Sequence, residues 1–273
     1  MADWREVSAE PDVELRLALL GDPVEHSLSP RMQAAAIEDM GLKATYEAYR
    51  VTADEFPECI GRLRECGFTG VNVTAPHKRA AAALGQAEDS ATRMIQSANS
   101  LRLEAVIASR NTDVPGFLRP LRETCPGRAL ILGAGGAAAA GAYGLLRRGW
   151  RVRVWNRTPQ RARELAWGLG MWGTIDDIPR PDPRGCDLIV NATSLGARKG
   201  ECPPLVWDHA KPEAVAYDMA YRKGPTDFLK AAAGRVRETI DGREMLVEQG
   251  ALALEWWSGR PVPREPMRKA VGL

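Results

Sequence analysis

The chain has 273 residues, which is long for one small domain and suggests two. Its 37 basic and 35 acidic residues leave a net charge of +2, which argues against a nucleic-acid surface built on bulk positive charge and against a charged tail. Hydrophobic residues at 45% and charged residues at 26% are ordinary for a soluble globular chain and exclude disorder as the main state.

The elements alternate from the start. Residues 16–21 read as a short buried strand that stops at a Gly-Asp-Pro turn. Ser27-Leu-Ser29-Pro30 follows, then an amphipathic helix over 31–40, with Ser29 as N-cap and Pro30 in the first helical position. A strand over 45–50, a helix over 53–65, a strand over 70–74 and a helix from Pro76 to about Leu84 complete a β-α-β-α-β-α run. That order predicts a mainly parallel sheet covered by helices. Residues 100–109 resemble two short strands with a tight connection, and 114–124 look helical. A second alternating unit begins with strand 129–132, helix 137–148, strand 151–155 and helix 159–169. Three prolines make 178–185 a loop; strands at 188–191 and 215–219, a strong helix over 245–257 and a short one over 265–271 follow.

Residues 129–146 are uncharged for 18 positions, close to the length of a spanning helix, but Gly and Ala dominate and the centre is only weakly hydrophobic. No membrane partner is expected. The opening Met1-Ala-Asp-Trp-Arg-Glu holds no apolar stretch for a signal peptide, and the five cysteines form no CxxC pair. Reduced thiols in a cytoplasmic protein, with no metal site, are the expectation.

Gly133-Ala134-Gly135-Gly136-Ala137-Ala138 fits G-x-G-x-x-A between a strand and a helix. Gly133 permits the tight turn, Gly135 lets a pyrophosphate approach the backbone, and Ala138 keeps helix and strand close. An NAD site usually places a carboxylate about 20 residues on, at the end of the next strand. Here that strand ends in Asn156-Arg157-Thr158, with Arg161 one turn later. Guanidinium groups match a 2′-phosphate that a carboxylate would repel, so the cofactor is read as NADP.

The first half carries small polar groups at strand ends, where open α/β sheets bind ligands. These are Ser27 and Ser29, then Asn72, Thr74 and Pro76-His77-Lys78, then Asn99 and Asn111-Thr112-Asp113. Taken singly, each has a plain structural reading as a cap or a helix start. Lys78 is different, because a cation in a helix first turn opposes the helix dipole. Asp113 is a candidate partner, and the two suggest a proton-transfer dyad. His26 and His77 read as hydrogen-bonding or exposed residues.

Together these residues resemble the shikimate dehydrogenase family, nearly end to end. The family's motifs appear in order as Ser27-Leu-Ser29-Pro30, Val71-Asn72-Val73-Thr74-Ala75-Pro76-His77-Lys78, Ser97-Ala98-Asn99-Ser100, Asn111-Thr112-Asp113, the glycine loop, Asn156-Arg157-Thr158, Asn191-Ala-Thr193-Ser, Asp218-Met219-Ala-Tyr221 and Gly242-Arg-Glu-Met245-Leu-Val-Glu-Gln249. The resemblance implies reversible NADPH-dependent reduction of 3-dehydroshikimate to shikimate, in aromatic amino-acid biosynthesis. It implies a substrate carboxylate held by Ser27 and Ser29, with Thr74, Asn99, Tyr221 and Gln249 orienting the carboxylate and ring hydroxyls. Lys78 and Asp113 correspond to the catalytic pair, and Thr193, Met219 and Gly242 join the glycine loop and Asn156, Arg157, Thr158 and Arg161 on the cofactor. It also implies two α/β domains flanking a cleft. Residues 1–112 and 245–273 make the substrate-binding domain, and 113–244 a Rossmann-like NADP domain, in a monomer or homodimer.

Ser100 stands where the family has Thr, and Ser109-Arg110 where Gly and a variable residue are expected, so Arg110 adjoins the expected site. Quinate or aminoshikimate oxidation and a non-catalytic NADP sensor are the alternatives. Ser29 leans toward shikimate, and keeping both Lys78 and Asp113 argues against a sensor. The paired serines and the Gln249 block separate the chain from a folate-linked dehydrogenase.

Overall fold

The computed structural model describes residues 3–9, 12–196 and 198–273, so Met1 and Ala2 of the stretch read for a signal peptide lie outside the described residues. Two compact units emerge, one running to Thr112 and including Leu246–Leu273, the other spanning Asp113–Met245.

In the first unit the chain builds β1 (Leu15–Gly21), α1 (Ser29–Asp39), β2 (Ala44–Arg50), α2 (Phe56–Glu65), β3 (Gly70–Val73), α3 (Lys78–Leu84), β4 (Gln86–Ala87), α4 (Ser90–Ile95), β5 (Ser100–Leu103) and β6 (Ile107–Arg110). The sheet order is β2-β1-β3-β5-β6-β4. Only β5 runs against its neighbours; the β1–β2, β1–β3 and β4–β6 pairs are parallel. β1 is buried along nearly its whole length, as expected of a strand covered on both faces. α2 buries Phe56, Cys59, Ile60 and Leu63, the i, i+3, i+4, i+7 stripe of an amphipathic helix. They join Leu20, Phe68, Val71 and Leu101 in one core.

The second unit contains α5 (Asp113–Leu118), β7 (Arg128–Leu132), α6 (Gly136–Arg147), β8 (Arg151–Trp155), α7 (Pro159–Leu169), β9 (Ile175–Asp177), β10 (Leu188–Asn191), β11 (Val215–Asp218), α8 (Asp227–Ala232) and β12 (Glu238–Asp241). Its sheet is wholly parallel, ordered β12-β11-β10-β7-β8-β9. This is the Rossmann order, in which the sequence of strands switches from one side of β7 to the other at the β7–β10 pair. Leu130, Leu132, Ile189, Trp207, Ala216 and Phe228 form part of its core.

α9 (Gly242–Ser258) starts in the second unit and continues into the first, followed by α10 (Arg264–Val271). Within the first unit, Gln33 Nε2 donates to Gly250 O at 2.9 Å and Trp257 Nε1 donates to Leu101 O at 2.9 Å, so α9 is bonded to both α1 and β5. α10 lies on α1 and buries Met267 and Val271.

Three sequence expectations change. The helix expected over 114–124 stops at Leu118, because Pro120 lacks an N–H and biases the preceding residue away from helix. Ser29 is the first residue of α1 rather than its N-cap; Leu28 takes the cap position, and the Ser29 N–H donates to Ser27 Oγ at 3.2 Å. The short elements β4, α4, β9, α8 and β12 had no separate reading. Of these, α4 and α8 carry side-chain caps, Asp89 accepting from the Thr92 N–H and Thr226 from the Leu229 N–H. No helix among the described residues is long and apolar enough to cross a membrane; the uncharged run is β7, a loop and α6.

Candidate active site

In the first unit, polar residues gather where β1, β3 and β6 end. Ser29 is buried at the start of α1 and Ser27 is half-buried just before it. Thr74 follows β3, its N–H donating to Leu20 O at 2.9 Å while its carbonyl accepts the His77 N–H at 2.9 Å. That turn delivers Lys78 to the first position of α3. The Lys78 carbonyl accepts the Ala98 N–H at 2.9 Å, which places the start of α3 beside the segment carrying Asn99.

Asn99 is the centre of the cluster and only 2% exposed. Its Oδ1 accepts the Thr112 N–H at 2.7 Å; its Nδ2 donates to Thr112 Oγ1 at 2.8 Å and to Gln249 Oε1 at 3.0 Å. The Asn99 and Gln249 predicted from the sequence are thus in direct contact, although 150 positions apart. Gln249 is held in turn by donation from Nε2 to Leu246 O at 2.9 Å. Behind them, Asn72 Nδ2 donates to Asn99 O at 3.0 Å and to Ser100 Oγ at 2.9 Å, and its Oδ1 accepts from the Tyr46 hydroxyl at 2.8 Å. Ser100 therefore supplies a hydroxyl to this network where the family has Thr. Tyr46 gave no sequence signal, because it sits in an ordinary alternating strand.

Arg110 points elsewhere. Its guanidinium pairs with Glu88 at 2.6 Å and lies 4.8 Å from the Trp256 ring centre, while Arg102 approaches the same indole at 4.6 Å. Trp256 Nε1 also donates to Glu88 Oε2 at 3.1 Å. Side chains alternate along β6, so Asn111 faces the opposite way and donates to Ser97 O at 2.8 Å. His77 is buried, bonded through Nε2 to Val51 O at 2.7 Å and stacked on Phe56, and burial lowers its pKa. It is a core residue, and His26 is exposed.

In the second unit, Gly133 adopts φ +113° and donates its N–H to Trp155 O at 2.7 Å. A Cβ there would lie 2.8 Å from Ala192 O, so both the turn and the close approach of the β10 loop need glycine. Gly135 caps α6 without a side chain, and the space around it is open. Ala134 and Ala137 are half-buried, Gly135 and Gly136 exposed, and Ala138 fully buried. The first-turn N–H groups of α6 thus face a position that fits a pyrophosphate. β8 ends at Trp155, and Asn156 just after it donates from Nδ2 to Thr158 O at 2.9 Å. Arg157 and Arg161 are exposed, and among the described residues neither forms an ion pair. Both remain available to a 2′-phosphate.

Thr193 and Met219 lie on loops beyond β10 and β11, and Gly242 opens α9 directly after β12. Asn191 Oδ1 accepts from the Thr193 N–H at 3.1 Å and hydroxyl at 2.7 Å, and Asn191 O accepts the Met219 N–H at 2.8 Å. Tyr221 follows two residues after Met219, and Asp113 opens α5. Sequence reasoning gave Asn191, Asp218 and Thr226 no role, yet all three are fully buried and joined by hydrogen bonds.

Comparison with known proteins is consistent along the chain. Residues 19–101 match the family model described as shikimate dehydrogenase substrate binding domain, and residues 242–271 match shikimate 5′-dehydrogenase C-terminal domain. A shikimate dehydrogenase (NADP(+)) of Thermus thermophilus is 41% identical over 269 residues, covering 95% of this chain and 100% of that protein. A crystal structure of shikimate 5-dehydrogenase from the same organism, in complex with NADP(H) and shikimate, superposes with a TM-score of 0.87 at 38% identity, covering 94% of this chain and 98% of the other. Shikimate dehydrogenase from Aquifex aeolicus gives a TM-score of 0.88 at 30% identity over 97% of this chain and 99% of its own.

Proposed function

The chain belongs to the shikimate dehydrogenase family, and we propose that it catalyses the reversible NADPH-dependent reduction of 3-dehydroshikimate to shikimate. The observation that carries the reading is Lys78 at the first position of α3, a place the helix dipole disfavours for a cation, on the segment bonded to the Asn99–Gln249 cluster.

The first unit binds substrate. Ser27 and Ser29 donate hydroxyl hydrogens to its carboxylate, and Asn99, Gln249 and Thr74 fix the ring hydroxyls and carboxylate. Asn99 and Gln249 are pre-positioned by their mutual bond and by Thr112 and Leu246, so little side-chain entropy is lost on binding. In the second unit the first turn of α6 holds the pyrophosphate, and Arg157 with Arg161 takes the 2′-phosphate; their exposure and lack of ion pairs fit that anion. Bound NADPH supplies the hydride. As the carbonyl oxygen gains negative charge, Lys78 stabilises it and delivers the proton, with Asp113 as its partner. In the reverse direction Lys78 takes that proton back.

The test is direct. Purified protein is mixed with shikimate and either NADP or NAD, and nicotinamide absorbance is followed. Turnover with a preference for NADP is expected. Binding of NADP without turnover would instead make the chain a sensor, and faster turnover of quinate than of shikimate would move the substrate.

A further inference from the structure

Asp218 closes β11 and is wholly buried. Its Oδ1 accepts from Asn191 Nδ2 at 2.8 Å and from the Ala220 N–H at 3.0 Å; its Oδ2 accepts from the Thr226 hydroxyl. Each donor belongs to a different segment. Asn191 ends β10, and its own amide also bonds Thr193 and donates to Leu195 O at 2.7 Å, shaping the loop that follows. Ala220 lies between Met219 and Tyr221. Thr226 also caps α8 by accepting the Leu229 N–H at 3.2 Å. Gly196, at φ +113°, turns the β10 loop back so that a Cβ there would sit 3.3 Å from Asp218 Oδ2.

We propose that Asp218 is a positioning residue for the cofactor: its carboxylate locks together the loops carrying Thr193, Met219 and Tyr221, and so sets the nicotinamide end of the NADP site. This rests on the dehydrogenase reading above. Among the described residues no cation pairs with Asp218; the other charge that acts on it is the Asp241 carboxylate, and burial outweighs its hydrogen bonds to push its pKa up to about 7. A neutral amide would fill the same space without that desolvation. A structural filler has no use for the charge. A hub that accepts from three donors at once does, above that pKa, where the carboxyl is ionised, because Asn at 218 would meet the Thr226 hydroxyl with an N–H and leave the hydroxyl proton without its acceptor.

The test uses Asp218→Asn, Thr226→Val and Thr226→Ser in the full chain, above the Asp218 pKa of about 7. NADPH and adenosine 2′,5′-bisphosphate are titrated by calorimetry, steady-state kinetics give kcat and both KM values, and circular dichroism reports the fold. The bisphosphate probes only the end held by Arg157 and Arg161. For D218N and T226V the expected result is about tenfold weaker NADPH binding and about tenfold lower kcat/KM for NADP, the scale of one lost bond to a charged group. Bisphosphate affinity stays within about twofold of the parent on the same scale, and T226S behaves as the parent. Parent-like NADPH binding in D218N or T226V overturns the proposal. So does an equal loss of bisphosphate affinity, which would mark a general structural role. Calorimetry needs no turnover, so an inactive parent would refute the dehydrogenase reading while these titrations still decide the role of Asp218.

Discussion

Replacing Asn99 with Ala removes the side-chain hydrogen bonds to Thr112 and Gln249 and leaves the backbone paired, since Asn99 O keeps the Val73 N–H at 2.9 Å. Besides Thr112 Oγ1, whose hydroxyl can rotate to another partner, two groups lose theirs. The Thr112 N–H, in a residue only 5% exposed, no longer has an acceptor, and Gln249 Oε1 no longer has its donor. A buried orphan costs about 1–3 kcal/mol, less where water enters the vacated volume, which gives roughly 2–4 kcal/mol for the pair. At about 2–4 °C per kcal/mol for a chain of this size, Tm of the first unit falls by roughly 5–15 °C. Functionally, the loss is selective. KM for shikimate rises while KM for NADP holds, because the bonds to Thr112 and Gln249 lie within the first unit. Differential scanning calorimetry and steady-state kinetics at saturating NADP read the two effects. A Tm within about 1 °C of the parent would show that Asn99 carries no such load. Equal rises in both KM values would show that it does not act through substrate.

Lys78→Ala lowers kcat by about 10²-fold or more, the scale of general acid–base help, with a smaller change in KM; a parent-like kcat makes Lys78 structural. Arg157→Asp weakens NADP far more than NAD, measured as the ratio of their kcat/KM values; equal weakening removes the 2′-phosphate argument. Stability should also depend on Asp218. Its folded pKa of about 7 lies above the ordinary carboxylate value, so the native state holds the extra proton between about pH 4 and 7. The contribution is full below that window and is lost as pH rises through it, on the order of 4 kcal/mol in total. Denaturant midpoints from pH 4 to 8 measure this, and Asp218→Asn flattens the slope; an unchanged slope places the titration on another group.

Most of the architecture was legible because hydrophobic period and punctuation agreed. β1, β7 and β10 are short apolar runs stopped by turn residues, and the glycine loop fell between strand and helix as read. What escaped was short or non-local. β9 and β12 have only three and four residues, too few to show a period. Thr226 and Asp218 meet across a loop of eight positions whose composition carries no mark of the contact. Arg110 was placed near the expected site by its neighbours in sequence, but strand alternation sends its side chain to Glu88 and Trp256 instead. The Asn99–Gln249 contact followed from family order alone, since no spacing rule joins residues so far apart.

The split of the first unit also sets an order of events during synthesis. The second unit is one unbroken stretch and has all its residues once Met245 has left the ribosome. The first unit begins earlier yet waits longer: the Trp257 indole that bonds Leu101 O, the Gly250 carbonyl that bonds Gln33, and α10 against α1 all emerge after the entire other unit has been made. Until then the nascent sheet lacks the helices that finish its core, and its apolar surface is exposed to self-association or to chaperones. A chain interrupted after Met245 would hold a full set of residues for the cofactor fold and an unfinished substrate fold.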